Sequence, residues 1–126
     1  MKITIQGHPA SKKNSQQIIV NKRTGRPMLI QGKIYREYEK HALKQLLTFG
    51  NICYVEPVMV SVQYFVKDKR RRDLLNLLAA TADILEKSGL VLDDTLIVSV
   101  DGSRIVGVDR ENPRAEITIT PDMEAP

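Results

Sequence analysis

The stretch from Lys69 to Asp94 restricts what this chain can fold into more than any other. Four cations, Lys69-Arg70-Arg71-Arg72, run directly into Asp73-Leu74-Leu75-Asn76; an amphipathic segment continues to Ser88, and Gly89 leads on to Asp93-Asp94. An Asp ahead of an apolar-periodic run is a preferred helix N-cap, and a glycine just past it supplies the left-handed C′ residue. The spacing therefore predicts a helix over 74–88 that starts at Asp73 and is followed by an acidic pair. At 100° per residue, Asp73, Asn76, Ala80, Asp83 and Lys87 share one stripe, while Leu74, Leu77, Leu78, Ile84 and Leu85 crowd the other side as core. Cations hold phosphates, and carboxylates from separate segments hold the hard metal ions that assist phosphodiester cleavage. The pattern points to a metal-dependent enzyme acting on nucleic acid, with Asp73, Asp93 and Asp94 as the acids. The plainer alternative is a capped helix followed by a solvated turn, with the cations a solvated strand end.

Elsewhere the periodicity is mostly that of strands. Val58, Val60, Val62, Tyr64 and Val66 alternate along one face of a strand over 58–66, and Ile3 and Ile5 do so over 2–6. Residues 16–20 and 27–31 read as a hairpin around Asn21-Lys22-Arg23-Thr24-Gly25-Arg26. Tyr35, Tyr38, Ala42 and Leu46 mark a helix from Ile34 to about Thr48, with Gly50-Asn51 as its stop. Short strands are expected at 96–100 and 115–120, the latter with Ile117 and Ile119 inward, and a turn at 109–113. There is no repeat, no linker and no βαβ rhythm. The expectation is an α+β fold with a mixed or antiparallel sheet and two main helices, forming one domain over residues 1–126.

Charge is unevenly distributed. Residues 1–40 carry nine Lys/Arg against two Glu, and residues 91–126 three Arg against eight acids, so the front is basic and the rear acidic. Such asymmetry suits a protein that turns one face to a polyanion, with Lys12, Lys13, Lys22, Arg23 and Arg26 extending the patch made by Lys69–Arg72. With no Trp, two Phe and four Tyr, base stacking has little to work with, and backbone recognition is favoured. No apolar run reaches the roughly 20 residues of a membrane span. The lone Cys53 makes no internal disulfide, so a reducing cytoplasm is the default; its neighbours mark it as a small core residue. His8 and His41 read as isolated loop or surface residues.

On these residues the chain resembles the RusA-type Holliday junction resolvases, the crossover junction endodeoxyribonucleases of phages and prophages. The resemblance rests on Gly7-His8-Pro9, Lys12-Lys13-Asn14, Tyr35-Arg36-Glu37-Tyr38-Glu39, the run Arg70-Arg71-Arg72-Asp73-Leu74-Leu75-Asn76, Gly89, Asp93-Asp94 and Asn112-Pro113-Arg114-Ala115-Glu116-Ile117. It implies an α+β homodimer that uses Mg²⁺, or Mn²⁺ in its place, to nick opposed strands of four-way junction DNA. Asp73, Asp93 and Asp94 would be the catalytic, metal-ligating acids, and Lys12, Lys13, Lys69, Arg70, Arg71 and Arg72 would contact DNA. Two positions depart from the family's best-known pattern. Leu75 stands where that pattern has a second acid, and Ala79 where it has a lysine. Asp83 is the candidate replacement acid. The alternative reading is a junction-binding protein on the same fold that has lost catalysis.

Overall fold

The structure is a computed structural model, and it describes residues 1–12, 17–30 and 32–123. Lys13 and the outer ends of the hairpin strands, residues 16 and 31, lie outside the described residues. In chain order the elements are β1 (Lys2–Gln6), β2 (Gln17–Val20), β3 (Pro27–Ile30), α1 (Lys33–Leu46), β4 (Val58–Val66), α2 (Leu74–Ser88), β5 (Ile97–Ser99), β6 (Arg104–Val108) and β7 (Arg114–Pro121). The architecture is α+β.

Strand β4 organises the sheet. Its alternation buries Val58, Val60, Val62, Tyr64 and Val66 on one face, as the period of two requires. One edge pairs with β7, antiparallel, from Val58 opposite Pro121 to Phe65 opposite Arg114. Strand β1 then pairs antiparallel with β7, Lys2 opposite Thr118 through Gln6 opposite Arg114. The other edge is shared by two short parallel partners, β5 beside Val58–Met59 and β6 beside Gln63–Val66. Strands β2 and β3 form a separate antiparallel pair.

The inward faces of β1, β4 and β7 merge with Tyr35, Tyr38, Ala42 and Leu46 of α1 and Leu77, Ile84 and Leu85 of α2 in one core. Both helices therefore cover the same face of the sheet. A buried hydrogen bond joins that face to α2. The Thr81 hydroxyl donates to the Leu77 carbonyl (2.9 Å), which leaves Tyr64 Oη to donate to Thr81 Oγ1 (2.7 Å). Among the described residues, no helix is long and apolar enough to cross a membrane.

Three expectations are corrected. Strand β4, helix α2 and strand β5 make a parallel crossover, so a βαβ unit is present within the mixed sheet. Strand β6 was not foreseen. Cys53 is exposed, because its segment runs outside the core between α1 and β4. The boundaries of two elements also shift. Helix α1 ends at Leu46 and tightens into a 3₁₀ turn over Leu47–Phe49, and Leu96 belongs to a 3₁₀ turn, Asp94–Leu96, ahead of β5.

Candidate active site

Helix α2 begins and ends as its sequence dictates. The Asp73 carboxylate accepts from the N–H groups of Leu75 (2.9 Å) and Asn76 (3.3 Å), both through Oδ1, and Gly89 closes the helix at φ 83°. The chain then reaches Asp93, which caps the following 3₁₀ turn. Its Oδ1 accepts from Thr95 N (2.9 Å) and Thr95 Oγ1 (2.8 Å), and these bonds hold the carboxyl below its usual pKa. The Asp94 N–H donates to Glu86 Oε1 (3.0 Å), tying this turn to α2.

The result is an acidic cluster. Carboxylate oxygens of Glu86, Asp93 and Asp94 all lie within 4.8 Å of one another. A Mg²⁺ with oxygens at about 2.1 Å sets neighbouring ligands about 3 Å apart and opposite ones about 4 Å apart, so a small inward turn of these side chains is what closing on one ion requires. All three donors are hard oxygens, Asp93 and Asp94 are exposed, and water has room to complete a shell. The donor set fits Mg²⁺ or Mn²⁺.

Asp73 is remote from one member of this cluster. Thirteen residues of helix separate it from Glu86, about 20 Å of rise, too far for both to hold one ion. Of the acids expected from the sequence, Asp93 and Asp94 come together and Glu86 joins them, while Asp73 caps the start of α2. Glu86 went unrecognised because nothing in a periodic helix singles out one glutamate. Its only sequence signal is its place in the last turn before Gly89 and the acidic pair.

Beside the cluster, Lys12, Asn76, Ala79, Ala80, Asp83 and Asp94 line a cleft of about 270 Å³. Asp83 is not available as a replacement ligand. Its Oδ2 lies 3.0 Å from Lys12 Nζ and 3.3 Å from Lys87 Nζ, and Lys87 also bonds Glu39 (3.1 Å), which accepts from Tyr35 Oη (3.0 Å). Burial pushes the Asp83 pKa up, but the two ammonium groups outweigh it and hold the carboxyl below its ordinary value. Leu75 is 72% exposed and carries no acid, and Ala79 lines the cleft with a methyl group in place of an ammonium.

The cation run divides in two. Lys69, Arg70 and Arg71 are exposed. Arg72, its side chain only 10% exposed, folds back: Nη1 donates to the carbonyls of Asp68 (3.0 Å) and Arg70 (2.8 Å), and Nη2 to Asp68 Oδ1 (2.6 Å). It shapes the run from within. His8 packs against it, with Nε2 3.1 Å from Arg72 Nη2, while Nδ1 accepts from Lys67 N (3.2 Å). Burial, then the Arg72 and Lys67 charges, lower the His8 pKa to about 4 against the opposing pull of Asp68. His8 is therefore not isolated. It joins the loop after β1 to the segment that leads into α2, and with Lys67, Arg70, Arg71 and Arg72 it lines a groove of about 210 Å³.

A carboxylate cluster, a cation-edged groove and an α+β sheet together define a protein equipped to handle a polyanion. Comparison with known proteins narrows the class. The family profile described as Endodeoxyribonuclease RusA matches residues 3–120. The crossover junction endodeoxyribonuclease RusA of Escherichia coli K12 is 34% identical over 91 residues, 71% of this chain and 72% of that protein. The proteins of the same name from Shigella sonnei and Enterobacteria phage 82 match at the same identity and coverage. The chain belongs to the RusA endodeoxyribonuclease family.

Proposed function

We propose that this protein is a divalent-metal-dependent endonuclease that resolves four-way DNA junctions by paired nicks, acting as a homodimer over residues 1–126. The observation that carries the reading is the Glu86–Asp93–Asp94 grouping beside a cleft, in a chain whose relatives bear the name crossover junction endodeoxyribonuclease. Asp93 and Asp94, with Glu86, are the residues to hold Mg²⁺ or Mn²⁺. A bound ion would supply positive charge to the phosphodiester and acidify water for attack. The chain's own residues do the rest. Thr95 fixes the Asp93 carboxylate, and the Asp94 N–H registers the turn against Glu86 on α2. Lys69, Arg70 and Arg71 neutralise backbone phosphates, with Lys12 from the loop after β1 and the next residue in sequence, Lys13, adding to them, while Arg72 holds the backbone of the run in place. Asp73 enters as a further catalytic acid, one helical turn ahead of the cleft residue Asn76.

A second reading is favoured by one observation, the absence of an acid at Leu75 and of an ammonium at Ala79: a junction-binding protein without catalysis. Incubating the purified protein with a labelled synthetic four-way junction, with and without Mg²⁺, separates the two. Symmetric nicks that need the metal are expected. Tight binding without nicks supports the second reading, and neither binding nor nicks overturns both.

A further inference from the structure

Among the described residues, the cleft beside the acidic cluster is lined by one cation, Lys12, whose ammonium sits 3.0 Å from Asp83 Oδ2 and 5.9 Å from the centre of the Tyr35 ring. As a structural ion pair this arrangement is redundant. Lys87 already reaches Asp83 at 3.3 Å from the next turn of α2, and Glu39 completes a set of two ammonium groups and two carboxylates. Lys12 is also 45% exposed, and an ion pair that wet is worth little, about 0–1 kcal/mol. Lys12 can therefore leave Asp83 for an incoming anion without stranding a buried charge, because Lys87 remains. Among the described residues that line the cleft, Asp94 and Asp83 are the acids and Lys12 is the cation that an incoming anion meets. Ala79 and Ala80 leave that space open.

We propose that Lys12 is the phosphate-contacting cation of the cleft, and that Asp83 is a positioning residue which keeps the ammonium aimed into it until a DNA phosphate takes its place. This rests on the junction-nuclease reading and deepens it. Lys12 acts inside the cleft, separately from the exposed run Lys69–Arg71, and no proton or bond is exchanged in the step. Asp83 contributes through Lys12, without contact to metal or DNA.

The test is the salt dependence of binding to a labelled four-way junction in the absence of divalent metal, for the wild type and for Lys12→Gln, Lys12→Arg and Asp83→Asn. Removing one cation that neutralises a phosphate lowers the slope of log affinity against log salt by about 1. Lys12→Gln is expected to show that drop with binding about tenfold weaker. Lys12→Arg should restore the slope. Asp83→Asn should keep the slope, since the ammonium stays, while single-turnover cleavage in Mg²⁺ slows. Thermal melting of each variant reads any purely structural effect, which would move the midpoint and leave the slope untouched. A wild-type slope in Lys12→Gln overturns the assignment while leaving the nuclease reading intact. A wild type that does not bind the junction overturns both.

Discussion

Asp94 is held by its neighbours rather than by any charge partner. Its N–H anchors on Glu86, and its carboxylate shares space with two others. Like charges so close raise the free energy of the site until a cation enters. Asp94→Asn is therefore expected to abolish Mg²⁺-dependent nicking while junction binding stays the same or tightens, because a metal ligand and a repulsive charge leave together. Gel-based cleavage and binding on the same junction check it, and undiminished cleavage would remove Asp94 from the centre. Glu86→Gln should weaken Mn²⁺ binding by about tenfold or more in calorimetric titration of the free protein, a readout independent of turnover. His8 makes a different prediction. The fold lowers its pKa from 6.5 to about 4, so between those values the unfolded chain binds more protons than the native one. The stability tied to a neutral His8 is present above pH 6.5 and is lost as the pH falls toward 4. Urea unfolding at about pH 7 and about pH 5 should show this loss in the wild type and a smaller loss in His8→Gln.

At the scale of elements, α2 shows why parts of the site were legible and parts were not. Its cap, its core face and its stop are local signals, and Asp73, Leu77, Ile84, Leu85 and Gly89 all do what their spacing dictates. Gly89 adopts φ 83° with nothing within 4 Å of where a Cβ would sit, so Gly89→Ala should cost about 1 kcal/mol through backbone strain alone. Chemical denaturation checks this, and a loss of several kcal/mol would mean that packing is involved. What the spacing could not give was partnership. That Glu86 faces Asp94, that Lys12 reaches Asp83, and that Arg72 folds back on Asp68 depend on which segments meet. Strand β6 was hidden for the same reason. Its five residues hold Gly107 and bury none fully, and their place along the C-terminal half of β4 follows from the sheet, not from their own pattern. Cys53 read as core from apolar neighbours, Ile52 and Val55, that are themselves exposed.

For the whole molecule, the uneven charge and the exposed apolar side chains of the sheet bear on assembly. Met59, Val98, Val106 and Val108 are each 40% or more exposed on β4, β5 and β6. A homodimer in sedimentation at micromolar concentration is the expected outcome, and a concentration-independent monomer would count against paired nicking by two copies. The order in which the molecule is made carries a separate consequence. Strand β1 finds its ladder partner, among the described residues, in β7, more than a hundred residues later, and Met1 N closes the join by donating to the Ile119 carbonyl (2.9 Å). At the usual pace of about 5–20 residues per second, a chain leaving the ribosome waits many seconds between the appearance of β1 and that of the strand it needs. The loop that carries His8 and Lys12 hangs from β1, so neither the groove lined by His8 nor the cleft lined by Lys12 is complete until β7 has emerged. A nascent chain thus has Glu86, Asp93 and Asp94 in hand before Lys12 is fixed beside them, and the cleft takes its final form only once β7 has been made.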